Sequence, residues 1–129
     1  MKTTDLHNQI SVGVGIALTA VADGADVVGE IIDMQGCNAL EFVFQVGAYT
    51  DGDVTPLIEE SDNSNMSSSN AVADTDLLGT EAAAALSAAG VSNIGYIGNK
   101  RYVRATAAGS TLSVGCTAVK YGLRIANVV

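Results

Sequence analysis

A chain of 129 residues is long enough for one domain with a real core and too short for two ordinary ones. Its formal net charge of −8 opposes long-range attraction to phosphate backbones, which excludes nucleic acid as an expected ligand. Only 16% of the residues are charged, against about 25% in an average globular chain, so part of the surface is expected to be covered by partners.

Residues 1–9 are polar and mixed and read as an N-terminal arm, ordered only where something holds it, with Leu6 and His7 as candidate partner contacts. Residues 10–129 read as the single domain. Ile10, Val12, Val14, Ile16 and Leu18 alternate with Ser11, Gly13, Gly15, Ala17 and Thr19, a period of two that puts every large side chain on one face of a strand. Gly13 and Gly15 leave the other face almost bare. That pattern points either to a bend over the domain's own core or to close contact with another chain.

Asp23-Gly24-Ala25-Asp26 punctuates the chain before a strand over 27–33, and Gln35-Gly36-Cys37-Asn38 forms the next turn. Leu40, Phe42, Phe44, Val46 and Ala48 then alternate with Glu41, Val43, Gln45, Gly47 and Tyr49, the strongest strand pattern in the chain, and the two phenylalanines are expected core anchors. Asp51-Gly52 is a favoured hairpin pair, predicting a return strand over 54–62 in which Pro56 lies on an edge or among the first residues. Residues 62–70 are polar, lack apolar periodicity and read as a mobile surface loop. Leu77 and Leu78 form a small apolar plug. Thr80 is placed to cap the alanine-rich stretch 81–89, which at barely two turns is expected to be a turn or one short docked helix.

Gly95-Tyr96-Ile97-Gly98-Asn99-Lys100-Arg101-Tyr102-Val103-Arg104 reads as strand, tight turn, strand, a hairpin at the centre of the domain with its second strand over 100–107. It holds three of the six cations. Alternation puts Lys100 and Arg104 on one face and Arg101 on the other, so they serve either as internal ion-pair partners of Glu41, Glu59 or Glu60 or as contacts to an acidic partner. In the last strand Val119, Tyr121, Leu123 and Ile125 face one way and Lys120, Gly122 and Arg124 the other. Seven or eight short strands with almost no helix predict an all-β fold, an antiparallel β-sandwich with jelly-roll or immunoglobulin-like connections and at most one short helix.

Few residues carry chemistry. His7, the only histidine, lies in the arm and leaves a serine or cysteine triad without a well-placed base. Glu59, Glu60 and Asp62 read as a solvated strand edge before a glycosidase pair. Asp51 with Asp53, or Asp62 with Asn63 and Asn65, could offer oxygens to calcium, yet neither set matches an EF-hand loop. Cys37 and Cys116 without histidine neighbours do not make a zinc site; they read as small buried hydrophobes, with a disulfide as the alternative. No phosphate-cradling glycine loop is present. The expectation is a protein that is not an enzyme and takes no cofactor. The absence of a cationic start followed by an apolar block, and of an apolar run near about 18 residues, predicts neither a secretion signal nor a membrane span, and a product of the reducing cytoplasm.

Four segments in order carry a resemblance: Leu40-Glu41-Phe42-Val43-Phe44-Gln45-Val46-Gly47-Ala48-Tyr49-Thr50-Asp51-Gly52, Leu57-Ile58-Glu59-Glu60-Ser61-Asp62, Ala73-Asp74-Thr75-Asp76-Leu77-Leu78-Gly79 and Tyr96-Ile97-Gly98-Asn99-Lys100-Arg101-Tyr102-Val103-Arg104. With them the chain, over about residues 27–125, resembles small proteins of tailed bacteriophages encoded among the head genes. The resemblance implies a structural virion protein, a capsid decoration or cement protein made in the host cytoplasm. It would bind the major capsid protein on the outer surface of the head as a homo-oligomer, a trimer first. A tail-tube or head-completion ring protein is the alternative, and a carbohydrate-binding sandwich is a second one, disfavoured because no tryptophan is present to stack on a sugar. The candidate partner contacts are Leu6, His7, Gly13, Gly15, Lys100, Arg101 and Arg104.

Overall fold

Alternating residues become strand almost wherever the structure, a computed structural model, describes the chain, namely residues 5–21, 25–49, 52–109 and 112–122. The strands are β1 (Ile10–Val21), β2 (Asp26–Asp33), β3 (Ala39–Tyr49), β4 (Val54–Ser61), β5 (Asn70–Ala71), β6 (Leu77–Leu78), β7 (Gly90–Tyr96), β8 (Tyr102–Gly109) and β9 (Leu112–Tyr121). Among the described residues helix is confined to two single 3-10 turns, His7–Gln9 and Asp74–Asp76. Every pairing is antiparallel, in a five-stranded sheet ordered β1-β9-β3-β7-β6 and a four-stranded sheet ordered β2-β8-β4-β5. The pairs β1–β9, β2–β8, β3–β7 and β4–β5 are nested one inside the next, as in a long two-stranded ribbon rolled up. That is jelly-roll connectivity, and it selects between the two sandwich types expected from sequence.

Between the sheets lie Phe42, Phe44, Leu40, Ile94 and Val114 from one side and Val54, Ile58, Val103, Ala105 and Ala107 from the other, all buried. The two phenylalanine rings lie 6.4 Å apart, tilted by 37°. Aromatic bulk thus comes from the five-stranded sheet, while β8 in the other sheet contributes small alanines.

Two expected hairpins are absent. Strands β3 and β4 lie in different sheets, as do β7 and β8, so the segments around Gly52 and Gly98 cross from layer to layer. β3 and β4 each turn one strongly apolar face to the space between the sheets, so both faces are buried although the strands do not pair. At the second crossing Tyr96 points into the core, its hydroxyl donating to Glu60 Oε2 at 2.7 Å and accepting from the Lys100 N–H at 3.0 Å. Gly98 passes so close over this ring that a Cβ would lie 2.6–2.7 Å from it. Lys100 and Arg101 therefore belong to the crossing loop, and β8 begins only at Tyr102.

β1 does not keep one face. Its register on β9 shifts between Val14 and Ile16 and again between Ile16 and Thr19. Such bulges turn side chains over. Val12, Val14 and Leu18 are consequently 64%, 55% and 78% exposed while Ile16 is buried. Gly15 is inside the sandwich, where a Cβ would lie 2.9 Å from Cys116 Sγ.

The loop 62–70 is built, not loose. Ser61 Oγ donates to the Ser67 carbonyl at 2.7 Å and accepts from the Asn63 N–H, Asn65 Oδ1 accepts from the Ser67 N–H, and Met66 plugs the loop into the interior. The stretch 81–89 is a turn, in which Thr80 Oγ1 accepts from the Ala83 N–H and Leu86 bridges Val54 through two backbone bonds of 2.8 Å. In the arm, Asp5 accepts from Asn8 and Gln9 N–H donates to the Leu6 carbonyl, so residues 5–9 hold a turn of their own. Leu123, Arg124 and Ile125 lie outside the described residues, as does Asp51.

Candidate partner interface

Three regions of this surface could meet another molecule. The first is the outer face of the five-stranded sheet. Because even-numbered residues of β3 and β9 point inward, the odd ones form this face: Glu41, Val43 and Gln45 beside Gly115, Thr117 and Val119. Val12, Val14 and Leu18 extend it on β1, and Val91 and Leu78, 63% and 57% exposed, on the far side. Glu41 is the only ionisable side chain among these positions, and it accepts a hydrogen bond from Asn93. A shallow groove of about 300 Å³ runs between Leu18, Val14, Val43 and Gln45 over Gly115.

The second region is the outer face of the four-stranded sheet, where Val28, Ile31 and Leu57 stand exposed around β8. Arg104 pairs with Glu59 across the strands at 3.2 Å, and both are largely covered. The Thr106 hydroxyl and Arg104 Nε are buried there without a hydrogen-bond partner. The third is a polar recess of about 450 Å³ between the 34–38 turn and the 98–101 loop. Arg101 forks onto Asp33 with two contacts of 3.0 Å, donates to Gln35 Oε1 at 2.7 Å and lies 5.1 Å from the Tyr102 ring centre. This guanidinium holds the Asp33 carboxyl below its ordinary range. Lys100 pairs with Asp62 at 2.6 Å, which raises its own ammonium pKa. Both pairs are solvent-exposed, so they fix loop geometry more than they stabilise the fold.

The seven residues expected at a partner surface do not converge. Leu6 and His7 are exposed in the turn ahead of β1, and Gly13 is exposed with open space where a side chain would be. Gly15 faces the interior, the bend over the core being the alternative its sequence left open. Arg104 takes one of the three expected acids, Glu59, whereas Arg101 and Lys100 take Asp33 and Asp62. The valine and leucine positions of the outer face were not singled out, and their one signal in the sequence is the scarcity of charge along β1, β3 and β9. Among the described residues no three His, Cys, Asp or Glu side chains gather as a metal cluster, and no helix is long and apolar enough to cross a membrane.

Cys37 and Cys116 are both buried free thiols. Burial pushes the Cys116 thiol from 9.0 up to about 12, and burial together with Glu60 also raises the Tyr96 phenol above its ordinary value. A raised folded-state pKa means stability that is present below the unfolded value and lost as pH climbs through the folded one. The urea midpoint is therefore expected to hold from neutral pH to about 9 and to fall between there and about 12, with a smaller fall in Cys116→Ala. A midpoint independent of pH across that window would contradict the burial of both groups.

No family model matches the chain, and no curated protein does. Among solved structures the chain is similar to one described as "Bacillus endospore appendages form a novel family of disulfide-linked pili", at 12% identity and a TM-score of 0.48, over 95% of this chain and 99% of that one.

Proposed function

We propose that the protein is a structural component of a tailed-phage head, a decoration or cement protein that binds the outside of the assembled shell as a homo-oligomer and stabilises it. The observation that carries this reading is the outer face of the five-stranded sheet, apolar and nearly free of charge on a chain of net charge −8. Exposed apolar patches of this kind mark surfaces that meet other macromolecules. The four-segment resemblance supplies the partner, the major capsid protein. Cementing needs contact area and rigidity, and the exposed apolar side chains of this face offer such an area. Many copies, each held by modest contacts, would add up to a durable layer through avidity.

The test is to produce heads lacking the protein, add it back, and measure rupture on heating or at low salt. Binding and a higher rupture threshold are expected, and Val43→Asp, placed on the outer face, should bind far less while folding normally. Unchanged rupture without rebinding would overturn the cement reading, and protein confined to the tail would favour the ring-forming alternative.

A further inference from the structure

The two sides of the sandwich treat their strand edges differently. On one side the sheets end in the two-residue strands β6 and β5. Beyond β5 the edge of β4 is closed piecemeal: the Val72 N–H donates to the Ile58 carbonyl, Glu81 Oε1 accepts from the Ile58 N–H at 2.7 Å, and Leu86 bridges Val54. On the other side β2 and β1 are the outermost strands among the described residues. β2 carries Asp26, Glu30 and Asp33, and charges along an edge discourage the addition of another strand. β1 has 12 residues with no charge and no proline.

The first part of that edge is regular. Ile10, Ser11, Val12, Gly13 and Val14 pair one for one with Tyr121, Lys120, Val119, Ala118 and Thr117, ahead of the first bulge. With β9 as its one paired strand among the described residues, alternate N–H and C=O groups of this stretch face away from β9, a template for another strand. We propose that this edge pairs antiparallel with the same edge of a second copy across a two-fold axis, joining two five-stranded sheets into one.

The occupant follows from complementarity. An antiparallel strand pair about a two-fold axis matches donors to acceptors with itself, so one surface serves both partners. Charge selects the same contact. Two chains of net charge −8 repel where acidic surfaces meet, but β1 is uncharged and the adjoining β9 contributes only Lys120. The paired strands themselves bring no carboxylate against each other, and Val12 and Val14 gain apolar neighbours across the seam. A two-fold contact closes at two copies, so it gives a dimer in place of the trimer expected from sequence. It stands whether or not the larger partner is a viral shell, and it would make the apolar outer faces of both copies continuous.

The full chain should sediment as a dimer at high concentration and dissociate on dilution. Val12→Asp puts like charges at the seam on a side chain that is already exposed, and should sediment as a monomer with an unchanged circular dichroism spectrum. Hydrogen exchange of the wild type at low and high concentration provides a reading independent of any variant: alternate amides among residues 10–14 should slow at high concentration. A wild-type monomer at every concentration, a trimeric mass, or exchange at β1 that ignores concentration would each overturn the pairing. So would a dimer that Val12→Asp leaves intact.

Discussion

Phe44→Ala is expected to lower stability by about 3–5 kcal/mol, read as a fall in the urea midpoint at nearly unchanged slope. Phe44 is fully buried, opposite Cys116 on β9 and Ser92 on β7, with its ring near Phe42. The chain has two phenylalanines and no tryptophan, so few large side chains are available to fill the space. The change would consume a large share of the roughly 5–15 kcal/mol that holds an ordinary domain together. A loss below about 1 kcal/mol would mean that Phe44 is not the anchor its burial indicates.

A second substitution acts by addition. Gly29→Ala would place a methyl group 2.5 Å from the Ala105 carbonyl oxygen, against the Gly15 carbonyl oxygen and 2.9 Å from Ile16 Cγ1. Two of these neighbours are backbone, one in each sheet, so neither can rotate away. Overpacking in a core commonly costs about 1–3 kcal/mol, and with backbone on both sides the loss here should exceed about 3 kcal/mol or prevent folding. Gly47→Ala, at an exposed position with nothing within 4 Å of the added carbon, is the matched control and should be nearly neutral. Equal stability of the two variants would mean that β1 and β2 do not approach as closely as this contact requires.

The layers could be read from the sequence because a period of two, as at Leu40, Phe42, Phe44 and Val46, reports which face of a strand is buried. That same period does not say which strand lies beside it. Gly52 and Gly98-Asn99 carry hairpin chemistry but lie at crossings, since turn residues permit a reversal without fixing whether the chain stays in one sheet. The register of β1 was hidden for a related reason: bulges leave the alternation of Ile10, Val12, Val14, Ile16 and Leu18 intact in the sequence while reversing its meaning in space. At the surface, ion pairing of the cations was legible but two of three partners were not, because Asp33 and Asp62 reach Arg101 and Lys100 only after the loops fold over. The outer apolar face was legible solely as a shortage of charge.

The central position of β9 bears on how the chain acquires its shape during synthesis. Among the described residues β9 is the last strand made, yet it lies between β1, the first, and β3. Until it leaves the ribosome, the five-stranded sheet has two parts with no strand to join them, and β1 has no neighbour in its own sheet. The five-stranded sheet can therefore be completed only once β9 has emerged, and a nascent chain halted before Leu112 would expose the edges of β1 and β3 together. Such intermediates are where a helper that shields strand edges would have its greatest effect on yield.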